Sequence, residues 1–125
     1  MTEQRLAFGQ WGEDEAAAYL RTKGLTILLR NYRTPVGEID IIARNRRFLV
    51  FVEVKTRRSR SFGTPQEAVG FRKQRQIIRT AQWFLANGAP RKLQPRFDVI
   101  GVMPAADNGA HIEHITDAFS LDFSG

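Results

Sequence analysis

The sequence predicts a single α/β domain over residues 1–125, built of two main helices and about five strands. Three observations carry that reading. Apolar residues recur at helical spacing through residues 2–23 and again beyond residue 64, whereas residues 37–44 and 47–55 read as strands. The patterns follow in the order helix, strand, hairpin, helix, strand, strand. No repeat, low-complexity tract or linker interrupts them.

The first helix is expected from about Thr2 to Lys23, with Gly24 as a left-handed cap. At about 100° per residue, Leu6, Gly9, Glu13, Ala16, Ala17 and Leu20 share one stripe, the expected core-facing side. Glu13 lies in the middle of it, where a carboxylate is costly unless compensated. Phe8, Trp11 and Ala18 lie roughly opposite, so the helix is expected to be covered on two sides, by the sheet and by a loop or partner.

An edge strand is expected from Leu25 to Arg30, before Asn31-Tyr32-Arg33-Thr34-Pro35. Two further strands, Gly37 to Arg44 and Arg47 to Lys55, form a hairpin through Asn45-Arg46. Thr64-Pro65-Gln66-Glu67 is a capping box with proline at the first helical position. The helix it opens is expected to reach about Asn87, with Gly88 as its stop. Its inward stripe reads Gly70, Phe71, Gln74, Ile77, Ile78, Ala81, Phe84 and Leu85, with Arg72, Arg75, Gln76 and Arg79 on the far face. Arg96 to Met103 and Ala110 to Ile115 read as an antiparallel pair around Asp107-Asn108-Gly109.

A hydrophobic content of 42% argues against wholesale disorder. No apolar run approaches the roughly 20 residues needed to span a bilayer. The polar start MTEQRLAFGQ lacks the basic-then-apolar pattern of a secretory signal, so a cytoplasmic, membrane-free protein is expected. The absence of cysteine excludes disulfides, thiolate nucleophiles and Cys-based zinc sites. A net charge of +6 favours a polyanionic partner, nucleic acid ahead of an anionic membrane. Small basic proteins are common, and clustering tilts the reading: Lys55-Thr56-Arg57-Arg58-Ser59-Arg60, then Arg72-Lys73-Gln74-Arg75, with Arg79 a turn later.

The hairpin holds the most informative residues. Alternation puts Glu53 with Lys55 and Glu38 with Asp40. A turn centred at Asn45-Arg46 sets Glu38 opposite Glu53 and Asp40 opposite Phe51, and a one-residue shift sets Asp40 opposite Glu53 directly. Either register gathers Glu38, Asp40, Glu53 and Lys55 on one face. The reverse face is then an apolar wall of Ile39, Ile41, Ala43, Phe48, Val50, Val52 and Val54. Ile42, Leu49 and Phe51 interrupt the charged face, so both faces are expected to be covered. Three partly buried carboxylates repel one another, and one lysine does not neutralise them. A hard divalent cation resolves that imbalance, and Mg²⁺ takes one or two carboxylates plus substrate phosphate. The residues leave open a blander reading, a charged edge hairpin whose Glu and Lys pair across strands.

The pattern Glu13 … Gly37-Glu38-Ile39-Asp40 … Val52-Glu53-Val54-Lys55-Thr56-Arg57 … Arg72-Lys73-Gln74 … Arg96-Phe97-Asp98-Val99 resembles the bacterial YraN-like family of predicted nucleases over nearly the whole chain. More distantly it is similar to archaeal Holliday junction resolvases and the PD-(D/E)xK superfamily. The resemblance implies a restriction-endonuclease-like fold, with a central mixed sheet flanked by the two helices. It also implies phosphodiester hydrolysis in branched or structured DNA. Residue by residue, it implies Asp40 and Glu53 as ligands of Mg²⁺ or Mn²⁺, with the Val54 carbonyl as a further ligand. Lys55 would orient or help deprotonate the attacking water, Glu13 would be the first-helix acid, and Gln74 the polar residue that the later helix points at the site. Here Glu38-Ile39 stands before Asp40 where the wider pattern has Pro-Asp, so Glu38 has no implied role. The alternative function is a nucleic-acid-binding module with an idle nuclease-like site.

Arg57, Arg58 and Arg60 are expected in an exposed, mobile loop running to Gly63, holding the phosphate backbone, with Arg72, Lys73 and Arg75 as a second basic surface. His111 and His114 read as ordinary edge-strand residues, and Asp98 as a structural carboxylate bonding a neighbouring backbone amide. Trp11, Trp83 and Phe84 read as core or dimer contacts, a homodimer being a possible assembly. No glycine spacing supports a nucleotide phosphate loop.

Overall fold

The computed structural model describes residues 2–60, 63–88, 90 and 92–120. Ser61 and Phe62 of the expected basic loop lie outside the described residues. Five strands form one sheet in sequential order: β1 Thr26–Thr34, β2 Gly37–Arg44, β3 Phe48–Thr56, β4 Gln94–Pro104 and β5 Ala110–Phe119. All neighbours are antiparallel except β3 and β4. A parallel pair needs a crossover, and helix α2 (Phe71–Ala86) lies within it. Helix α1 (Glu3–Thr22) covers the other face, so the chain has the expected α/β architecture of a mixed five-stranded sheet between two helices. That arrangement is compatible with a restriction-endonuclease-like fold.

Thr2 Oγ1 accepts the Arg5 amide at 3.2 Å to start α1, and Gly24 follows its end at φ +83°. The inward stripe begins only at Gly12 and continues through Glu13, Ala16, Ala17 and Leu20. Leu6, expected in the core, is 58% exposed, and Gly9 is exposed too. The first turns face the segment after β3 rather than the sheet. Of the opposite set, Trp11 packs against the core and Ala18 is exposed. A Cβ at Gly12 would collide with the Thr56 side chain, so glycine lets α1 lie directly on the end of β3.

The α1-side core joins Ala16, Ala17 and Leu20 to Ile41, Ala43, Val50, Val52, Ile100 and Val102. The α2-side core joins Ile77, Ile78 and Ala81 to Ile42, Leu49, Phe51, Phe97 and Val99. Both faces of the central strands are covered, as their apolar runs require.

Local signals misplaced two features and left a third, the hairpin register, open. The capping box forms, with Glu67 N donating to Thr64 Oγ1 at 3.2 Å and Thr64 N to Glu67 Oε1 at 3.1 Å, but it opens only a 3₁₀ turn, Gln66–Ala68. Val69 is extended and buried in the α2-side core, and Gly70 caps the real helix. That restart rotates α2: Phe71 is 79% exposed, Thr80 is buried and Gln76 is half-buried. Second, β1 runs past Arg30 to Thr34, and β4 and β5 run on to Pro104 and Phe119, because cross-strand pairing lengthens them. Third, the hairpin closes with Arg44 opposite Leu49, and Asn45 Oδ1 accepts the amides of Arg47 and Phe48 at 2.8 and 2.7 Å. This is the shifted register. Among the described residues no helix is long and apolar enough to cross a membrane.

Candidate active site

β2 and β3 pair from Arg44 opposite Leu49 to Ile41 opposite Val52, and the ladder stops there. β2 continues beside β1 to Gly37, while β3 continues beside β4 to Thr56. The sheet forks one step short of Asp40 and Glu53. The Asp40 carboxylate replaces the missing ladder, its Oδ2 accepting the Val54 amide at 2.8 Å. Beyond the fork a two-stranded ribbon twists more strongly. Ile39 accordingly joins the α2-side cluster while Ile41 stays on the α1 side, so the expected apolar wall loses Ile39.

Four elements supply the side chains around this fork. Glu53, from β3, is 6% exposed. Lys55 places Nζ 3.5 Å from Glu53 Oε2, and Lys73, from the first turn of α2, places Nζ 3.9 Å from the same oxygen. Glu13 comes from α1 and is buried. Burial first, and repulsion from Glu53 second, raise the Asp40 carboxyl from 3.8 to about 7, with a smaller push from Glu13; the Val54 amide and Lys73 oppose them.

Glu13 is held from β1. Arg30 Nε and Asn31 Nδ2 both donate to Glu13 Oε1, at 2.8 and 3.1 Å, and Arg30 Nη2 donates to Asp14 at 2.6 Å. Adjacent strand residues normally point to opposite faces. Here the register slips by one residue between Ile27 and Leu29, and Asn31 has a left-handed backbone at φ +52°, so both side chains reach α1. The carboxylate on the helix stripe is compensated in this way.

The residues that could hold a divalent cation here are Asp40 and Glu53, with the Val54 carbonyl implied by the resemblance. Among the described residues no three His, Cys, Asp or Glu side chains group as a ready metal cage. Two mutually repelling carboxylates suit a hard ion that keeps several waters and takes one or two carboxylates from the protein, so the residues fit Mg²⁺.

The family model described as "Uncharacterised protein family UPF0102" matches residues 12–102. The chain belongs to the UPF0102 family. It is 62% identical over 122 residues to a UPF0102 protein of Syntrophotalea carbinolica, covering 98% of both chains. A UPF0102 protein of Desulfosudis oleivorans is 44% identical over 124 residues, 99% of this chain and 98% of that one. One from Geobacter sulfurreducens is 47% identical over 115 residues, 92% and 90% of the two chains. The UPF0102 match spans Glu13, Asp40, Glu53, Lys55 and Lys73.

Two residues expected on this side stand elsewhere: Gln74, implied by the resemblance, and Glu38, placed there by strand alternation. Gln74 Nε2 donates to the Val69 carbonyl at 2.8 Å, bridging the break before α2; the α2 side chain at the carboxylates is Lys73. Glu38 is exposed and pairs with Arg33 at 3.3 Å across the β1–β2 ribbon, rather than joining Asp40 and Glu53. Lys73 was hidden in a run that reads as surface charge, and Arg30 and Asn31 gave no signal because their reach depends on a bulge and a left-handed residue.

The basic residues differ in their surroundings. Arg57 Nη1 donates to the Gly63 carbonyl at 3.1 Å, Arg58 lies over the Phe8 ring, and Arg60 pairs with Glu113 of β5 at 3.3 Å. Arg72 and Arg75 are exposed on α2.

A second polar cluster lies on β4 and β5. Buried Asp98 accepts two bonds from Arg96 at 2.9 Å each and the Asp117 amide at 3.0 Å, and His114 Nε2 sits 2.7 Å away. Burial alone would raise this carboxyl, but bonds from His114, Arg96 and the Asp117 amide outweigh it and hold it below the usual range. The amide bond is the one expected of Asp98. His114 nevertheless has an acidic partner that its sequence spacing conceals, and its Nδ1 meets the Tyr19 hydroxyl at 3.1 Å. The cluster staples the irregular end of β5, where the register shifts and Asp117 is left-handed.

Proposed function

We propose that this UPF0102 protein is a metal-dependent nuclease hydrolysing phosphodiester bonds in branched or structured DNA. The observation carrying the reading is the fork, where Asp40 and Glu53 repel each other in a partly buried site flanked by Lys55 and Lys73. Phosphodiester hydrolysis needs a nucleophilic water near neutral pH and positive charge on the phosphoryl oxygens. Mg²⁺ or Mn²⁺ held by Asp40, Glu53 and the Val54 carbonyl would supply Lewis acidity and acidify a water. Lys55 orients the attacking water, and Lys73 offers its charge to the phosphoryl oxygens. Glu13, fixed by Arg30 and Asn31, adds negative charge beside Asp40 and strengthens its demand for a cation. Arg57, Arg58 and Arg60, with Arg72 and Arg75, would hold the phosphate backbone on either side.

A non-catalytic nucleic-acid-binding module is the second reading, favoured by the lack of a three-carboxylate cage among the described residues. Cleavage assays with Mg²⁺ or Mn²⁺ on linear, flapped and four-way DNA separate the two. Cutting by the wild type, lost in Asp40→Asn and Lys55→Ala while DNA affinity persists, supports the nuclease. Binding without cutting supports the module, and no binding to any nucleic acid at low salt removes both.

A further inference from the structure

The first turns of α1 and the segment after β3 enclose an open groove of about 660 Å³. Arg5, Phe8 and Gly9 line it from the helix, and Thr56, Arg57 and Arg58 from the segment. Its strand-side wall begins at Thr56, the residue after Lys55, so one end of the groove adjoins the carboxylate fork along the chain.

Gly9 has no packing partner that requires it among the described residues. It is exposed in the interior of α1, where glycine is the least favourable residue except proline. A Cβ there would meet nothing within 4 Å among the described residues, and its backbone is not left-handed. Gly12, one turn later, is by contrast required by the Thr56 side chain. A bare floor in an open groove serves a ligand that must approach the helix backbone closely.

The walls indicate what that ligand is. Phe8 and Trp11 stack at 5.7 Å with planes 10° apart, and the Arg58 guanidinium lies 4.3 Å from the Phe8 centroid. Among the described residues no carboxylate lies within ion-pair distance of Arg5, Arg57 or Arg58. Arg5 and Arg58, without a carboxylate at ion-pair distance, beside an aromatic pair match a nucleic-acid strand whose bases are unstacked and accessible, whereas Arg57 already donates to the Gly63 carbonyl and feels the Glu67 charge. A double helix buries those faces, and a bilayer surface is too broad to enter a groove.

We propose that this groove binds an unpaired nucleic-acid strand, its phosphates on Arg5, Arg57 and Arg58 and a base against the Phe8–Arg58 stack, with Gly9 as the floor beneath it. The inference rests on the nuclease reading for its direction, since the strand would lead to the fork, but binding does not require cleavage. The test is a metal-free anisotropy titration of the full chain with a labelled oligothymidylate of about 15 nucleotides, within the site sizes such grooves take. A blunt duplex of equal length runs in parallel. Gly9→Leu should lose roughly tenfold or more in oligothymidylate affinity, with a melting temperature equal to or above wild type because leucine favours the helix. Phe8→Ala and Arg58→Ala should each lose roughly tenfold, the value of one stacked base, and the duplex should lose less. Unchanged oligothymidylate affinity in Gly9→Leu overturns the groove, and equal losses for the duplex overturn the unpaired strand. A wild type that shows this variant pattern yet cuts nothing supports the groove and fails the nuclease reading alone.

Discussion

Asp40→Asn in metal-free protein probes the fork most directly. The Asp40 carboxyl titrates at about 7 when folded against 3.8 unperturbed. The folded chain therefore binds this proton more strongly than the unfolded chain. The stability it contributes is fully present below 3.8 and is lost as pH rises through about 7. A rise of that size corresponds to about 4 kcal/mol at most, at about 1.4 kcal/mol per pH unit. Asparagine has the same shape and stays neutral, so it escapes the penalty. It accepts the Val54 amide more weakly than a carboxylate does and forgoes the attraction of Lys73. A net gain of about 1–2 kcal/mol above neutral pH remains, roughly 4–8 °C in Tm for a chain of this size. The assay is a set of thermal melts of both proteins in chelator between about pH 5 and pH 8.5, read as the difference between them so that shared titrations cancel. The gain should shrink on the acid side and grow through neutrality. Excess Mg²⁺ should then raise the wild type more than the variant. A difference independent of pH, or a less stable variant above neutrality, refutes the raised carboxyl; equal shifts with Mg²⁺ refute Asp40 as a ligand.

Other variants test the remaining parts. Lys73→Met should lower metal-dependent cleavage roughly tenfold or more, while Gln74→Ala leaves it nearly unchanged; the reverse order would restore Gln74 to the site. The triple change Arg57→Ala, Arg58→Ala, Arg60→Ala should flatten the dependence of log K on log salt by about 0.9 per phosphate contact, three contacts at most. Arg60 is already paired with Glu113, so restoring Arg60 alone should recover least of the slope. Gly12→Ala should cost about 1–3 kcal/mol by overpacking against Thr56, visible as a lower denaturation midpoint. Asp98→Asn should destabilise by about 2–4 kcal/mol by leaving Arg96 and His114 without their carboxylate. The Asp98 carboxyl is held below its ordinary value, so the wild-type advantage should be present above about pH 4 and fade as acid protonates Asp98.

Much of this molecule is legible locally because backbone geometry dictates it. Side chains alternate along any strand, so Glu53 and Lys55 share a side wherever β3 lies, and helical spacing with Gly24 delimits α1. The acidic residues Glu13, Asp40 and Glu53 stand out because carboxylates amid apolar runs demand a partner. What those runs face is settled by residues distant in the chain. Burial of Val69 broke the helix that the capping box announces, and the rotated restart brought Lys73, not Gln74, to Glu53. The Asn45–Phe48 turn chose between two registers that alternation leaves equal, and the end of the β2–β3 ladder set Asp40 at a fork instead of in a flat sheet. A bulge and the left-handed Asn31 aimed two neighbouring β1 side chains at one helix, a conformation no periodicity encodes. Local dihedral preferences determine elements and side-chain direction, whereas close packing of distant apolar surfaces decides which directions converge.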